Sequence, residues 1–74
     1  MGWDDLTAAE RSVVALVGEG LPNKQIAERL FIAPSTVHWH LKNIFRKLEV
    51  ENRTQLALAA GARDLDEVAR NDNR

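Results

Sequence analysis

Only three or four residues, around Phe31, Ile32 and Ala33, separate two stretches whose apolar positions repeat with the period of an α-helix. The first runs from Asn23 to Leu30, with Ile26, Ala27 and Leu30 on one side. The second begins at Pro34, since proline suits a helix's first turn, where its missing N–H costs nothing. A connection this short cannot lay two helices side by side in parallel. It forces a steep crossing, the geometry of a helix-turn-helix.

The rest of the chain also reads as helix, with no apolar alternation long enough for a strand. Thr7-Ala8-Ala9-Glu10 has the spacing of a capping box, in which hydroxyl and carboxylate each satisfy the other residue's amide. A first helix over about 8–18 follows, with Val13, Val14, Leu16 and Val17 as its apolar face and Gly18 and Gly20 at its end. Asn23, after Leu21-Pro22, has the chemistry of the second helix's N-cap. Helices are therefore expected at about 8–18, 23–30, 34–48 and 53–62, an all-α, compact four-helix domain over 6–65 with flexible termini at 1–5 and 66–74. The polar end of the chain, Asn71-Asp72-Asn73-Arg74, suits a frayed tail.

The third helix carries the chemistry. At 100° per residue, Val37, Leu41, Ile44, Phe45 and Leu48 fall on one stripe, which is the expected core face. Roughly opposite, Ser35, His38, Trp39, Lys42 and Arg46 lie within about 100° of one another. Such a face is built to be read from outside. The net charge of the chain is −1, but the distribution is uneven. From Asn23 to Arg53, Lys24, Arg29, Lys42, Arg46, Lys47 and Arg53 oppose only Glu28, Glu49 and Glu51, a local net of +3 between acidic flanks.

Those residues define the candidate nucleic-acid contacts. Lys42 is the leading base contact, because an ammonium can donate to guanine O6 and N7; a solvated or phosphate-bound lysine is the plainer reading. Trp39 offers apolar contact to a thymine methyl, or else is covered by a partner domain, and His38 is read as a groove contact. Asn23, Lys24 and Thr36, at helix starts where amides and dipole favour anions, are phosphate candidates together with Ser35 and Arg46. Arg46 and Lys47 could equally pair with Glu10, Glu49 or Glu51. In the fourth helix Leu56, Ala57 and Ala60 suit a core stripe, which leaves Leu58, Ala62 and Leu65 as a second stripe for a weak homodimer, or else as cover for the core or a contact with the rest of a longer protein.

Other classes find little support. A chain of 74 residues without cysteine has a small core and no disulfide staples, and leaves no volume for an enzyme cleft. No nucleophile–base spacing or glycine-rich phosphate loop appears, so neither catalysis nor a cofactor is expected. His38 and His40 stand on different helix faces and do not suit a metal. No apolar run approaches the ~20 residues of a membrane span, and the absence of cysteine fits a cytoplasmic protein.

Taken together, Leu6-Thr7, Glu10, Gly20-Leu21, Asn23-Lys24, Ile26-Ala27, Leu30-Phe31-Ile32, Thr36-Val37, His40, Lys47-Leu48, Val50 and Asn52-Arg53-Thr54 resemble the LuxR-type helix-turn-helix domain over about residues 6–60. The resemblance implies a four-helix DNA-binding domain of a bacterial transcription regulator. Its third helix would enter the major groove and its fourth would contribute dimer contacts; such a domain usually follows a regulatory module in a longer protein, and the sequence fits a part of one and a naturally short regulator alike. It also puts His40 near the phosphate backbone. The chain departs from the family pattern at Ala33, where a capping Ser is usual, at His38 and Trp39, where Lys and a smaller residue are common, and at Glu49, where Gly is usual.

The expected function is sequence-specific binding of double-stranded DNA in transcription regulation. A sigma-factor region shares the helix-turn-helix, but the Asn52-Arg53-Thr54 start of a fourth helix with a leftover apolar stripe argues against it. The alternative of a different kind is a protein-interaction module of the same fold with little DNA affinity, for which the acidic flanks and Trp39 speak.

Overall fold

A computed structural model describes the backbone of residues 2–72 and the side chains of residues 2–63. Four α-helices follow a one-turn 3-10 helix at Trp3–Asp5: α1 (Ala8–Gly18), α2 (Asn23–Leu30), α3 (Pro34–Leu48) and α4 (Arg53–Asp72). There is no strand among the described residues. The first three helices keep the expected bounds. The fourth runs to Asp72, past the expected end near Ala62, because no proline stops it and Gly61 costs a helix only about 1 kcal/mol. Residues 66–72, expected in a loose tail, are thus part of α4, while Met1, Asn73 and Arg74 lie outside the described residues.

The core is a single cluster to which every helix contributes. Val13, Val14 and Val17 of α1 meet Ile26 and Ala27 of α2, Val37, Leu41 and Ile44 of α3, and Leu56 and Ala60 of α4. α1 lies at the centre, packed on the other three. Phe45 and Leu48, expected on the core stripe of α3, are partly buried against it. α1 and α4 approach closely where Gly18 faces Ala60; a Cβ at Gly18 would stand 3.4 Å from the Ala60 Cβ.

Three helices end alike, each with a left-handed residue followed by a backbone bond back over the last turn. After α1 the left-handed residue is Gly20, and Leu21 N–H donates to the Leu16 carbonyl at 3.2 Å. After α2 it is Phe31, with Ile32 N–H on the Ala27 carbonyl at 3.0 Å. After α3 it is Glu49, with Val50 N–H on the Phe45 carbonyl at 3.1 Å. Side chains at the last two positions strain the backbone in a way glycine does not.

The helix starts differ more. Thr7 and Glu10 form the full capping box: Glu10 N–H donates to Thr7 Oγ1 at 3.1 Å and Thr7 N–H to Glu10 Oε1 at 2.9 Å. Ala33 precedes α3 with no side-chain cap, as its identity dictates. Asn23 corrects the sequence reading. It is the first residue of α2, whose N-cap is Pro22, and its side chain makes no cap hydrogen bond. Instead Asn23 Oδ1 accepts from the Arg53 guanidinium, which also donates to the Leu21 carbonyl.

The segment expected to be a loose N-terminus is engaged with the domain. Gly2 N–H donates to the Lys47 carbonyl at 3.2 Å, and Trp3 packs against the core with the Arg63 guanidinium carbon 5.0 Å from its ring centre.

Candidate nucleic-acid interface

The apolar stripe of α3 fixes the direction of the other one. With Val37, Leu41 and Ile44 buried, helical geometry turns Ser35, His38, Trp39, Lys42 and Arg46 away from the core, and all five are exposed. Trp39 retains 60% of its surface. Among the described residues, Ser35, His38 and Lys42 have no hydrogen-bond or ion-pair partner. Arg46 Nη2 donates to Asn43 Oδ1 at 3.1 Å, within α3 itself.

The other candidates are less uniform. Lys24 is exposed on the first turn of α2, whereas Asn23 and Thr36 are half-buried. Because Asn23 Oδ1 is held by Arg53, only its amide N–H groups remain to meet a phosphate. His40 is half-buried beside Trp39, ring centres 5.3 Å apart and tilted 60°. Its Nδ1 is buried without a partner, which leaves Nε2 as the ring nitrogen able to reach one. On α4, Leu58 is 69% exposed and Ala62 is exposed, while the Leu65 side chain lies outside the described residues.

Lys47, five residues beyond Lys42, is committed elsewhere. Its Nζ donates to Glu10 Oε1 at 2.7 Å, and Glu10 is only 3% exposed. Burial alone pushes the Glu10 carboxyl up; hydrogen bonds from Lys47 and Thr7 and the ammonium charge outweigh it and hold the group below its ordinary value. Of the partners left open for Lys47 in the sequence, Glu10 is the one observed. The Arg53 clamp has no signal in sequence spacing, because it joins residues about thirty positions apart.

Among the described residues no group of three His, Asp or Glu is placed to hold a metal, and no helix is long and apolar enough to cross a membrane. A hollow of ≈ 340 Å³ between α1 and α4, bordered by Trp3, Val14, Gly18 and Ala60, includes no residue of α3.

Two helices in contact across a three-residue connection, the second presenting Ser35, His38 and Lys42 with no partner among the described residues, form the frame of a helix-turn-helix nucleic-acid-binding domain. Comparison with known proteins makes this specific. Residues 4–60 match the model of the family described as bacterial regulatory proteins, luxR family. An HTH-type transcriptional regulator of Mycobacterium tuberculosis is 52% identical over 62 residues, which are 84% of this chain and 7% of that protein. The monoamine regulon transcriptional regulator of Klebsiella aerogenes is 59% identical over 51 residues, 69% of this chain and 22% of its own length. The nitrate/nitrite response regulator protein NarL of Escherichia coli is 42% identical over 55 residues, 74% of this chain and 26% of its own. This chain belongs to the luxR family of bacterial regulatory proteins, and its helix-turn-helix serves DNA binding in transcription regulation rather than catalysis. It spans between 7% and about a quarter of the length of these relatives.

Proposed function

We propose that the domain binds double-stranded DNA sequence-specifically with α3 in the major groove. His38, Trp39 and Lys42 face base edges; Asn23, Lys24, Ser35, Thr36, His40 and Arg46 hold phosphates. Two copies pair weakly through Leu58, Ala62 and Leu65 of α4, which sets two recognition helices about one DNA turn, ~34 Å, apart. The domain acts within the cytoplasm as the DNA-reading part of a longer regulator whose other domain receives the signal. The observation that carries this reading is the division of α3 into a buried apolar stripe and an exposed stripe whose Ser35, His38 and Lys42 have no partner among the described residues.

A salt titration of binding to random and selected duplexes tests it. Each neutralised phosphate releases a counterion, so affinity must fall steeply as salt rises, and a selected duplex must outcompete a random one. Leu58→Asp should abolish the advantage of two half-sites over one while leaving single-site affinity unchanged. A chain that ignores duplex DNA at low ionic strength and binds a protein instead would be an interaction module of the same fold.

A further inference from the structure

The hollow between α1 and α4 lies apart from the exposed stripe of α3. At ≈ 340 Å³ it falls within the ~300–1,000 Å³ of small-molecule sites, which join an apolar lining to a few convergent polar groups. Here the lining is core: Leu6, Val14 and Ala60 are nearly buried. The polar groups converge on Trp3. The Arg63 guanidinium carbon stands 5.0 Å from its ring centre, and Arg11 Nη2 donates to its carbonyl. Arg11 Nε donates to the Leu6 carbonyl as well, and both bonds are long at 3.4 Å. They engage two of the five N–H groups of a guanidinium. Arg11 is exposed and makes no ion pair among the described residues.

We infer that this hollow binds a small monocarboxylate with an apolar tail. The carboxylate takes the remaining Arg11 donors in a charge-assisted pair, and the tail lies along Leu6 and Val14 toward the contact of Gly18 with Ala60. Glu19 borders the hollow too, about 12 Å along α1 from Arg11. Its charge repels a second carboxylate at that end, so the ligand carries one negative terminus rather than two. Burial of the tail supplies the affinity, and Arg11 sets the orientation.

Titration of the full chain, without DNA, with hexanoate, 1-hexanol and adipate at neutral pH and fixed ionic strength tests the assignment by amide and indole NMR shifts. Hexanoate should move the Trp3 indole and the Gly18 and Ala60 amides, and bind about tenfold more tightly than either hexanol or adipate. Arg11→Gln should bring hexanoate down to the level of hexanol and leave hexanol unchanged, a split that mere loosening of the fold does not produce. Ala15→Leu, at an exposed position on the rim, should fill the hollow and abolish binding of both while the melting temperature is kept. The assignment is overturned if hexanoate and hexanol bind alike, if adipate matches hexanoate, or if hexanoate still binds to Ala15→Leu. It is equally overturned if hexanoate moves only the amides around Lys42, or none at all. Duplex binding is untouched by any of these results, since Lys42 and the hollow share no residue.

Discussion

Two lysines on the same helix, Lys42 and Lys47, have opposite fates. Lys47 is drawn inward to a nearly buried carboxylate that also caps α1, so its charge is met inside the domain. Lys42 faces outward with no partner among the described residues. The difference shows how a small domain separates holding itself together from meeting something else. Charge that is satisfied internally stiffens the frame, and charge left unsatisfied is available to a ligand. One turn and a half of helix divides the two roles.

The comparison is broken most directly at Glu10. Glu10→Ala strands Lys47 and half of the capping box, and should lower stability by about 2–3 kcal/mol, a fall in melting temperature of roughly 10 °C or more. The same carboxylate carries an acid dependence. Its folded pKa lies below the unfolded value, so the unfolded chain binds the extra proton, and the stabilisation present near neutrality is lost as pH falls below about 4.5. Thermal melts of Glu10→Gln should show a flatter acid limb than the wild type; an identical slope would remove Glu10 from that role.

Lys42→Ala should do the reverse. Calorimetry should find stability within about 0.5 kcal/mol of wild type, whereas duplex affinity falls by about 1–3 kcal/mol with relaxed preference at one base position. A uniform loss over all sequences would make Lys42 a phosphate contact. Ala33→Ser sharpens the contrast between the two helix starts: a side-chain cap on α3 should add about 1 kcal/mol, read as a higher denaturant midpoint. Glu49→Gly, which relieves the left-handed backbone after α3, should add less than about 1 kcal/mol, since glycine gives part of the gain back as unfolded-chain entropy.

Much of this was legible from spacing, for a local reason. The capping box needs only residues three apart, and the two stripes of α3 follow from helical period, so Thr7, Glu10, Val37, Leu41 and the exposed Lys42 were all readable from order alone. What the sequence concealed was distant pairing. Asn23 has the chemistry of a cap, yet the arrival of Arg53 gives its oxygen another partner, and nothing in the spacing announces that arrival. Trp3 likewise stood outside the pattern until α1 and α4 came together beneath it and Arg63 covered its ring. α4 outran its expected end because a polar tail looks like a loop when only its polarity is weighed, although Leu65, Glu67, Ala69 and Arg70 within it favour helix.

Arg53 has a consequence for assembly. Its guanidinium fastens the root of α4 to the loop that launches α2, so any twofold partnership made along α4 is transmitted to the helix-turn-helix as a set rotational phase. For two copies paired along α4 as proposed, this planar fork gripping two oxygens joins the packing of α4 on α1 in setting the tolerated distance between half-sites. A lysine in its place, a single pivot rather than a bracket, should leave the bases read unchanged while letting duplexes with one base pair more or less between half-sites bind almost as well.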